Sequence, residues 1–338
     1  MQRLIWLDIA KGIAILLVII GHMGIPRTMS NIIYSFHMPF FFLMSGFMFS
    51  TNRPLRQNIV RETQKILYPY LTCSVIVLLL FSIYRDDWGT YVLSVLYKGW
   101  GFFPLWFVLV FYCARLIFFL LYETTRKIKL KLMGGGRAII ILLYVILSAL
   151  VGAFLSFKNI IWPYNMSSIF AATSFILIGL LLKQLLSRIR YFDMSTFVHV
   201  IIVIFAFAIC LVGSSYYRLD MCINQILPLI PIFIIAVVGT LMIISLSIIM
   251  SRIYQFPVIS SCGRNTFMLM AFPIPVMGVI KYFVGDSIFG SSLLSLLIRW
   301  GILIFIFAVL FKLKNNQLKW LFDYVAFRDK IRTLVKLI

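Results

Sequence analysis

Runs of about 20 apolar residues, separated by short polar segments, recur along almost the whole of this 338-residue chain. A run of that length spans the hydrocarbon core of a bilayer as an α-helix, in which every backbone polar group is satisfied internally. Hydrophobic residues make up 62% of the chain and charged residues 12%, against about 45–50% and about 25% in soluble proteins. The sequence therefore predicts an all-α, polytopic integral membrane protein.

The hydropathy pattern divides into about ten predicted spans, at 4–25, 31–50, 66–84, 103–122, 138–157, 166–184, 197–214, 226–250, 265–284 and 292–311. The second span contains Pro39 and the ninth contains Pro273 and Pro275. Because proline removes a backbone donor, each of these two can be broken or re-entrant. Residues 1–311 are predicted to form the membrane domain. Residues 312–338 alternate basic and apolar residues, which predicts an amphipathic cytoplasmic tail on the anionic inner leaflet.

The formal charge of +21 has two interpretations. A nucleic-acid-binding protein would gather its basic residues on a soluble face, whereas a membrane protein keeps them in its cytoplasmic loops. With ten spans and a cytoplasmic N-terminus, most of the 31 Lys and Arg residues fall in cytoplasmic segments. The predicted outside loops hold only Arg27, Arg85, Lys98, Lys158 and Arg218. We therefore expect both termini to be cytoplasmic, the bilayer to be a partner, and nucleic acid not to be one.

Several common kinds of catalytic centre have no signature in the chain. The five cysteines form no CxxC pair, and HExxH, Walker A and GxSxG sequences are absent. Metal and ATP chemistry are therefore not expected, and the cysteines are interpreted as small buried apolar residues.

The first span carries three ionisable residues, Asp8, Lys11 and His22. At about 100° per residue, all three fall on one stripe of the helix. Ionisable groups inside a membrane are costly, so this stripe should face protein or water rather than lipid. One alternative remains open, in which Asp8 pairs with Lys11 at the headgroups and His22 caps the outer end of the helix.

Other polar residues in predicted spans give weaker indications. His37 falls in the outer part of the second, antiparallel span and is expected to neighbour His22. Arg115 and Arg299 each need an anionic partner, and a ligand phosphate is predicted for Arg115. His199 has no evident partner in the sequence.

Four motifs, in order, carry a resemblance to a known family. The first motif is a basic residue, ten further residues and then a histidine, which Lys11 and His22 match. The second span contains Phe36-His37-Met38-Pro39, followed by aromatic residues and Ser45-Gly46. Arg61 and Lys65 precede Pro69 in a basic loop, and Leu105-Trp106-Phe107 follows. This set resembles acyltransferase family 3, a family of membrane proteins.

The resemblance implies O-acetylation of a cell-surface carbohydrate by a multi-pass protein of the bacterial inner (plasma) membrane. The acyl donor would be cytoplasmic acetyl-CoA, and the acceptor an O-antigen, capsule or exopolysaccharide, or a lipid-linked precursor. His22 would be the catalytic base, and the resemblance also implicates Lys11 in activity. Asp8, on the same stripe of the helix, and His37, the expected neighbour of His22, are further candidate catalytic residues. Arg61, Lys65 and Arg115 would bind the donor, whose pantetheine arm is expected to follow the stripe towards His22.

Two departures from the family pattern stand out. The segment Gly263-Arg264-Asn265-Thr266 resembles a late G-x-N-S/T element that many sugar-modifying members follow with a histidine, but Pro273 occupies that position here. The chain also ends soon after the tenth predicted span, as in stand-alone members that lack an SGNH hydrolase-like domain.

A transporter or flippase of a lipid-linked sugar is the alternative from another functional class. Such proteins commonly use several intramembrane carboxylates and internal repeats. The predicted spans contain one deep acid, Asp8, and no repeat is evident, so the acyltransferase interpretation is favoured. A non-catalytic scaffold would leave the costly polar stripe unexplained.

Overall fold

The protein is described here by a computed structural model covering residues 4–50, 53–98, 105–128, 136–285, 293–316 and 318–335. Regular structure in these ranges is helical, apart from an isolated bridge between Asp220 and Gln225. The α-helices are α1 (Ile5–Gly21), α2 (Arg27–Tyr34), α3 (His37–Phe47), α4 (Leu55–Glu62), α5 (Tyr68–Tyr84), α6 (Trp88–Lys98), α7 (Trp106–Lys127), α8 (Gly136–Phe157), α9 (Ile169–Arg188), α10 (Thr196–Tyr216), α11 (Leu229–Ile253), α12 (Pro257–Arg264), α13 (Thr266–Ala271), α14 (Pro273–Val284), α15 (Leu293–Asn316), α16 (Lys319–Phe322) and α17 (Tyr324–Val335). The all-α prediction is confirmed for the described residues.

Six helical segments of the described residues are long and apolar enough to cross a membrane. They are Leu55–Tyr84, Trp106–Lys127, Gly136–Phe157, Pro163–Arg188, Thr196–Tyr216 and Leu229–Ile253. Each overlaps one of the predicted spans. The count of about ten spans and the cytoplasmic placement of both termini stay predictions.

The two predicted spans that were expected to be broken at proline are both divided. The segment predicted at 31–50 is split into α2 and α3, and the one at 265–284 into α13 and α14. Pro39 is the third residue of α3 and Pro273 the first of α14. The N–H groups of a first helical turn have no intrahelical acceptor, so proline costs little there. The prolines therefore favour helix starts at these positions, as expected for broken spans.

The chain divides into two compact units, each built from two stretches of sequence. The first unit consists of Met1–Leu55 and Cys113–Thr266, and the second of Arg56–Tyr112 and Phe267–Ile338. The predicted boundary at residue 311 between membrane domain and tail stays a prediction.

The core of the first unit contains a close crossing of α3 and α9. A Cβ at Gly46 would stand 1.8 Å from the carbonyl oxygen of Ile176, and one at Gly179 would stand 1.9 Å from that of Leu43. Only glycine lets the two backbones approach this closely. The glycine of the Ser45-Gly46 motif is thus explained by packing.

In the second unit, the C-terminal helices pack on the start of α5. The hydroxyl of Tyr68 donates to the carbonyl oxygen of Trp320 at 2.7 Å, and that of Thr72 donates to the carbonyl oxygen of Leu321 at 2.7 Å. The Tyr68 ring also lies edge-on to Tyr324, with centroids 5.6 Å apart. Trp320, Leu321 and Tyr324 of the predicted tail therefore pack against α5.

Candidate active site around His22

His22 caps the C-terminal end of α1 and is half-buried. Its Nδ1 lies 2.7 Å from the carbonyl oxygen of Val18, one turn earlier in the same helix. A carbonyl oxygen can only accept, so Nδ1 carries the proton of the neutral ring and Nε2 keeps its lone pair. The end of α1 thereby holds the imidazole in a tautomer with Nε2 as its basic atom.

Tyr34, the last residue of α2, lies between the two histidines of this region. Its hydroxyl is 3.5 Å from His22 Nε2, and its ring centroid is 5.9 Å from that of His22. On its other side, the buried His37 ring meets Tyr34 edge-on with centroids 4.8 Å apart. His37 Nδ1 donates to the carbonyl oxygen of Ile33 at 2.8 Å. The two histidines expected to be neighbours therefore contact the same phenol.

Arg218 comes to this cluster from the loop that joins α10 to α11. Its Cζ stands 5.1 Å from the centroid of the Tyr34 ring. Its Nη1 donates to Asn31 Oδ1 at 3.3 Å, one turn before Tyr34 on α2. A guanidinium over an aromatic face is attracted by the negative π surface, so Arg218 holds both the ring and the helix that carries it.

The same loop brings Asp220 into the electrostatic surroundings of Arg218 and His22. Burial raises the pKa of the Asp220 carboxyl, against opposing effects of the Cys222 backbone N–H and the Arg218 charge. Burial also raises the pKa of the Cys222 thiol to about 12. That thiol therefore stays protonated near neutral pH and is a poor nucleophile.

Several side-chain to backbone hydrogen bonds fix this loop. Asn165 Nδ2 donates to the carbonyl oxygen of Cys222 at 2.5 Å, and Ser168 Oγ donates to that of Met221. Asn224 Nδ2 donates to the carbonyl oxygen of Gly152 on α8 at 3.2 Å. Arg218 and Asp220 are thus presented by a loop tied to neighbouring helices.

Asp8 and Lys11 lie on the same unbroken helix as His22, and both are half-buried. The rise of about 1.5 Å per residue separates Lys11 from His22 by about 16 Å along the axis. The structure therefore keeps this pair at the opposite end of α1 from the imidazole. Their predicted catalytic roles stay predictions.

The late motif packs directly against the start of α1. A Cβ at Gly263 would stand 1.8 Å from the carbonyl oxygen of Asp8, and one at Gly12 would stand 2.1 Å from that of Ile259. The side chain of Asn265 donates to the carbonyl oxygen of Ser261 at 2.9 Å, at the end of α12. The G-x-N element thus shapes a helix crossing that sets the position of Asp8 and Lys11.

Arg115, predicted to bind a donor phosphate, is buried on α7 and has protein contacts. Its Nη1 donates to the carbonyl oxygen of Ser45 at 3.1 Å. Its Cζ stands 4.6 Å from the ring centroid of Phe119, with Phe49 and Phe118 also within 6 Å. These contacts stabilise the end of α3, and the phosphate-binding role stays a prediction.

Arg61 and Lys65, the other predicted donor-binding residues, belong to the second unit. Arg61 lies in the last turn of α4, and Lys65 lies in a π-helical turn, Thr63–Leu67, that leads into α5. Pro69 follows at the start of α5 and cannot donate to the carbonyl of residue 65. The wider π-helical turn accommodates the hydrogen bond that Pro69 cannot make, and Lys65 lies within that turn.

His199 lies in a separate buried cluster. Its Nδ1 is 3.4 Å from Ser245 Oγ, which the Tyr191 hydroxyl also contacts at 2.5 Å. The Tyr191 ring is edge-on to the imidazole at 5.1 Å. His199 thus has partners that the sequence did not reveal, and they tie α10 to α11.

Three residues of the His22 cluster were missing from the sequence predictions: Tyr34, Arg218 and Asp220. Tyr34 precedes His37 by one helical turn, a spacing that could have drawn attention to it. Arg218 is one of the few basic residues of the predicted outside loops, which was the only sequence signal for it.

Comparison with known proteins gives one match. The sequence model of a family described as Acyltransferase domain (Acyl_transf_3) matches residues 4–313. Neither the curated proteins nor the solved structures include a match to this chain.

Proposed function

The chain belongs to acyltransferase family 3, since the match covers nearly its whole length, and from this premise we propose a specific reaction for this multi-pass membrane acyltransferase. The protein transfers an acetyl group from acetyl-CoA to a hydroxyl of a cell-surface polysaccharide or its lipid-linked precursor. The proposed setting is the plasma membrane of a bacterium, with the donor supplied from the cytoplasm.

The observation that carries the proposal is the hydrogen bond from His22 Nδ1 to Val18. Acyl transfer to an alcohol needs a base within about 3 Å of the attacking hydroxyl. The bond to Val18 fixes the ring and leaves Nε2 to accept a proton, on the side where Tyr34 lies. His22 is accordingly the proposed general base.

The reaction requires two proton transfers at His22 Nε2. The acceptor hydroxyl gives its proton to Nε2 as its oxygen attacks the thioester carbonyl carbon. The intermediate then expels the CoA thiolate, which takes the proton back from the imidazolium. His22 ends the cycle in its starting form.

The donor is proposed to be recognised through its phosphates. Lys65 follows Arg61 by four residues in a basic segment. Charge-assisted hydrogen bonds to phosphate are among the strongest that side chains can form. Lys11, which the family resemblance implicates, and Asp8, which lies on the same stripe, are proposed to act along the first helix. His37 is proposed to support the site through Tyr34.

Acetyl-CoA turnover by the purified protein separates this proposal from the transporter alternative. Wild-type protein in lipid vesicles should release CoA thiol. It should also transfer labelled acetyl groups to added surface polysaccharide isolated from the organism that makes the protein. Both His22→Ala and His22→Gln should lose this turnover, because neither side chain can accept the proton. If wild-type protein neither hydrolyses nor transfers acetyl groups under these conditions, the acyltransferase assignment to acetyl-CoA is wrong.

A further inference from the structure

The hydroxyl of Tyr34 lies beside the basic nitrogen of His22, where it can take part in the reaction as well as in packing. Its hydroxyl is 3.5 Å from His22 Nε2, at the long end for a hydrogen bond. Catalytic hydrogen bonds in a ligand-free site are often long and tighten when substrate binds. The hydroxyl therefore stands beside the proposed base at a distance that an incoming group can shorten or replace.

Acyl transfer needs a donor as well as a base. When the acceptor oxygen attacks, negative charge develops on the thioester oxygen, and a hydrogen-bond donor about 2.7–3.1 Å from it stabilises the transition state. The attacking oxygen and the oxyanion are bonded to the same carbon. The base and the oxyanion donor must therefore be neighbours, as His22 Nε2 and the Tyr34 hydroxyl are.

Three contacts hold the phenol in this place. The His37 ring meets it edge-on at 4.8 Å, and the Arg218 guanidinium lies over its face at 5.1 Å. Arg218 also donates to Asn31 at 3.3 Å, which fixes α2 one turn before Tyr34. A guanidinium over the face of the ring is attracted to it, so Arg218 helps to hold the phenol beside His22.

From this geometry we infer that Tyr34 is the oxyanion donor of the acetyl transfer and that Arg218 is its positioning residue. The inference rests on the proposed function, since it assigns a second group to the same reaction. As the C–O bond forms, the electron pair of the carbonyl moves onto its oxygen, which accepts a hydrogen bond from Tyr34. The phenol keeps its proton throughout. The C–S bond then breaks, and the thiolate takes the proton held by His22.

Tyr34→Phe tests the hydroxyl while keeping the ring against His37 and Arg218. Removing one oxyanion donor typically lowers kcat by about 10²–10³-fold, and we expect a loss of this size with little change in the KM for acetyl-CoA. Tyr216→Phe is the matched control, because Tyr216 is 77% exposed at the end of α10. It should leave kcat unchanged.

Arg218 is tested by a double-variant cycle. Arg218→Ala should lower kcat, Arg218→Lys should recover part of the loss, and Arg218→Ala should have little further effect in the Tyr34→Phe background. Such non-additivity is expected when one residue acts through another. A structural role of Arg218 alone would give the same loss of kcat in both backgrounds, which would overturn the positioning assignment.

The outcomes also separate this inference from the proposed function. If Tyr34→Phe turns over like wild type while His22→Ala is inactive, the Tyr34 inference is wrong and the base assignment stands. If His22→Ala is as active as wild type, the proposed function of the site fails first.

Discussion

The crossing of α1 and α12 offers a direct physical test of how the late motif supports the site. A Cβ at residue 263 would stand 1.8 Å from the carbonyl oxygen of Asp8 and 2.9 Å from the backbone nitrogen of Gly12. Real Cβ atoms essentially never approach within 3.0 Å of such atoms. Gly263→Ala therefore requires the two helices to separate, because backbone atoms cannot rotate out of the way.

Two opposing effects set the change in the free energy of unfolding caused by Gly263→Ala. Overpacking of this kind typically costs about 1–3 kcal/mol, and a backbone clash places it near the upper end. A gap of about 0.5–1 Å also weakens each remaining contact along the crossing by a quarter to a half. Alanine gains about 1 kcal/mol over glycine in helix propensity. The clash should win, and the free energy of unfolding should fall by about 2 kcal/mol.

The assay is denaturant titration in mixed micelles, followed by tryptophan fluorescence. Gly301→Ala is the matched control, since Gly301 lies within α15 and a Cβ there meets nothing within 4 Å. It should leave stability unchanged or raise it slightly. Gly263→Ala should also reduce acetyl transfer, because Asp8 and Lys11 move with α1. Equal stability of the two variants would refute the close crossing.

Three further predictions concern charged groups. Burial raises the folded-state pKa of Asp220, so its stabilising contribution is present at low pH and is lost as pH rises. Wild type should therefore lose stability relative to Asp220→Asn as pH rises above about 4, the ordinary pKa of an aspartate. A gap in unfolding midpoints that stays constant or changes the other way would contradict this. Arg115→Met removes the cation beside the Phe119 ring and the donor to the Ser45 carbonyl oxygen. It should lower the free energy of unfolding by about 2 kcal/mol. A variant with wild-type stability and a raised KM for acetyl-CoA would instead indicate phosphate binding. The double variant Arg61→Gln/Lys65→Gln should raise the KM for acetyl-CoA severalfold, and Arg190→Gln, at an exposed position, is the control. An unchanged KM in the double variant would rule out the donor-binding assignment.

The secondary structure followed from local patterns. The six segments long enough to span a membrane overlap predicted spans, because the length and apolarity of a span are properties of one continuous stretch. The breaks near Pro39 and Pro273 were also foreseeable, since proline removes a backbone donor wherever it occurs. The bounds of α2 and α3 could not be foreseen, because Phe36, between the two helices, is buried in a core formed by distant parts of the chain.

The site was only partly predictable for the same reason. His22 and His37 carry motif signals, and the tautomer of His22 depends on Val18 in the same helix. The contact that completes the cluster joins Arg218 to Asn31 across 187 positions. Nothing in a single sequence pairs residues so far apart. The packing roles of Gly12 and Gly263 were hidden similarly, because each is explained by the backbone of the other helix.

Chemical rescue of His22→Ala tests the central claim most directly. His22 is half-buried, so its removal leaves a space beside Tyr34 that free imidazole can enter. We predict that His22→Ala in lipid vesicles transfers no labelled acetyl group from acetyl-CoA, and that added imidazole restores transfer in proportion to its concentration. Transfer at the wild-type rate by His22→Ala without imidazole would contradict the assignment of this ring as the base.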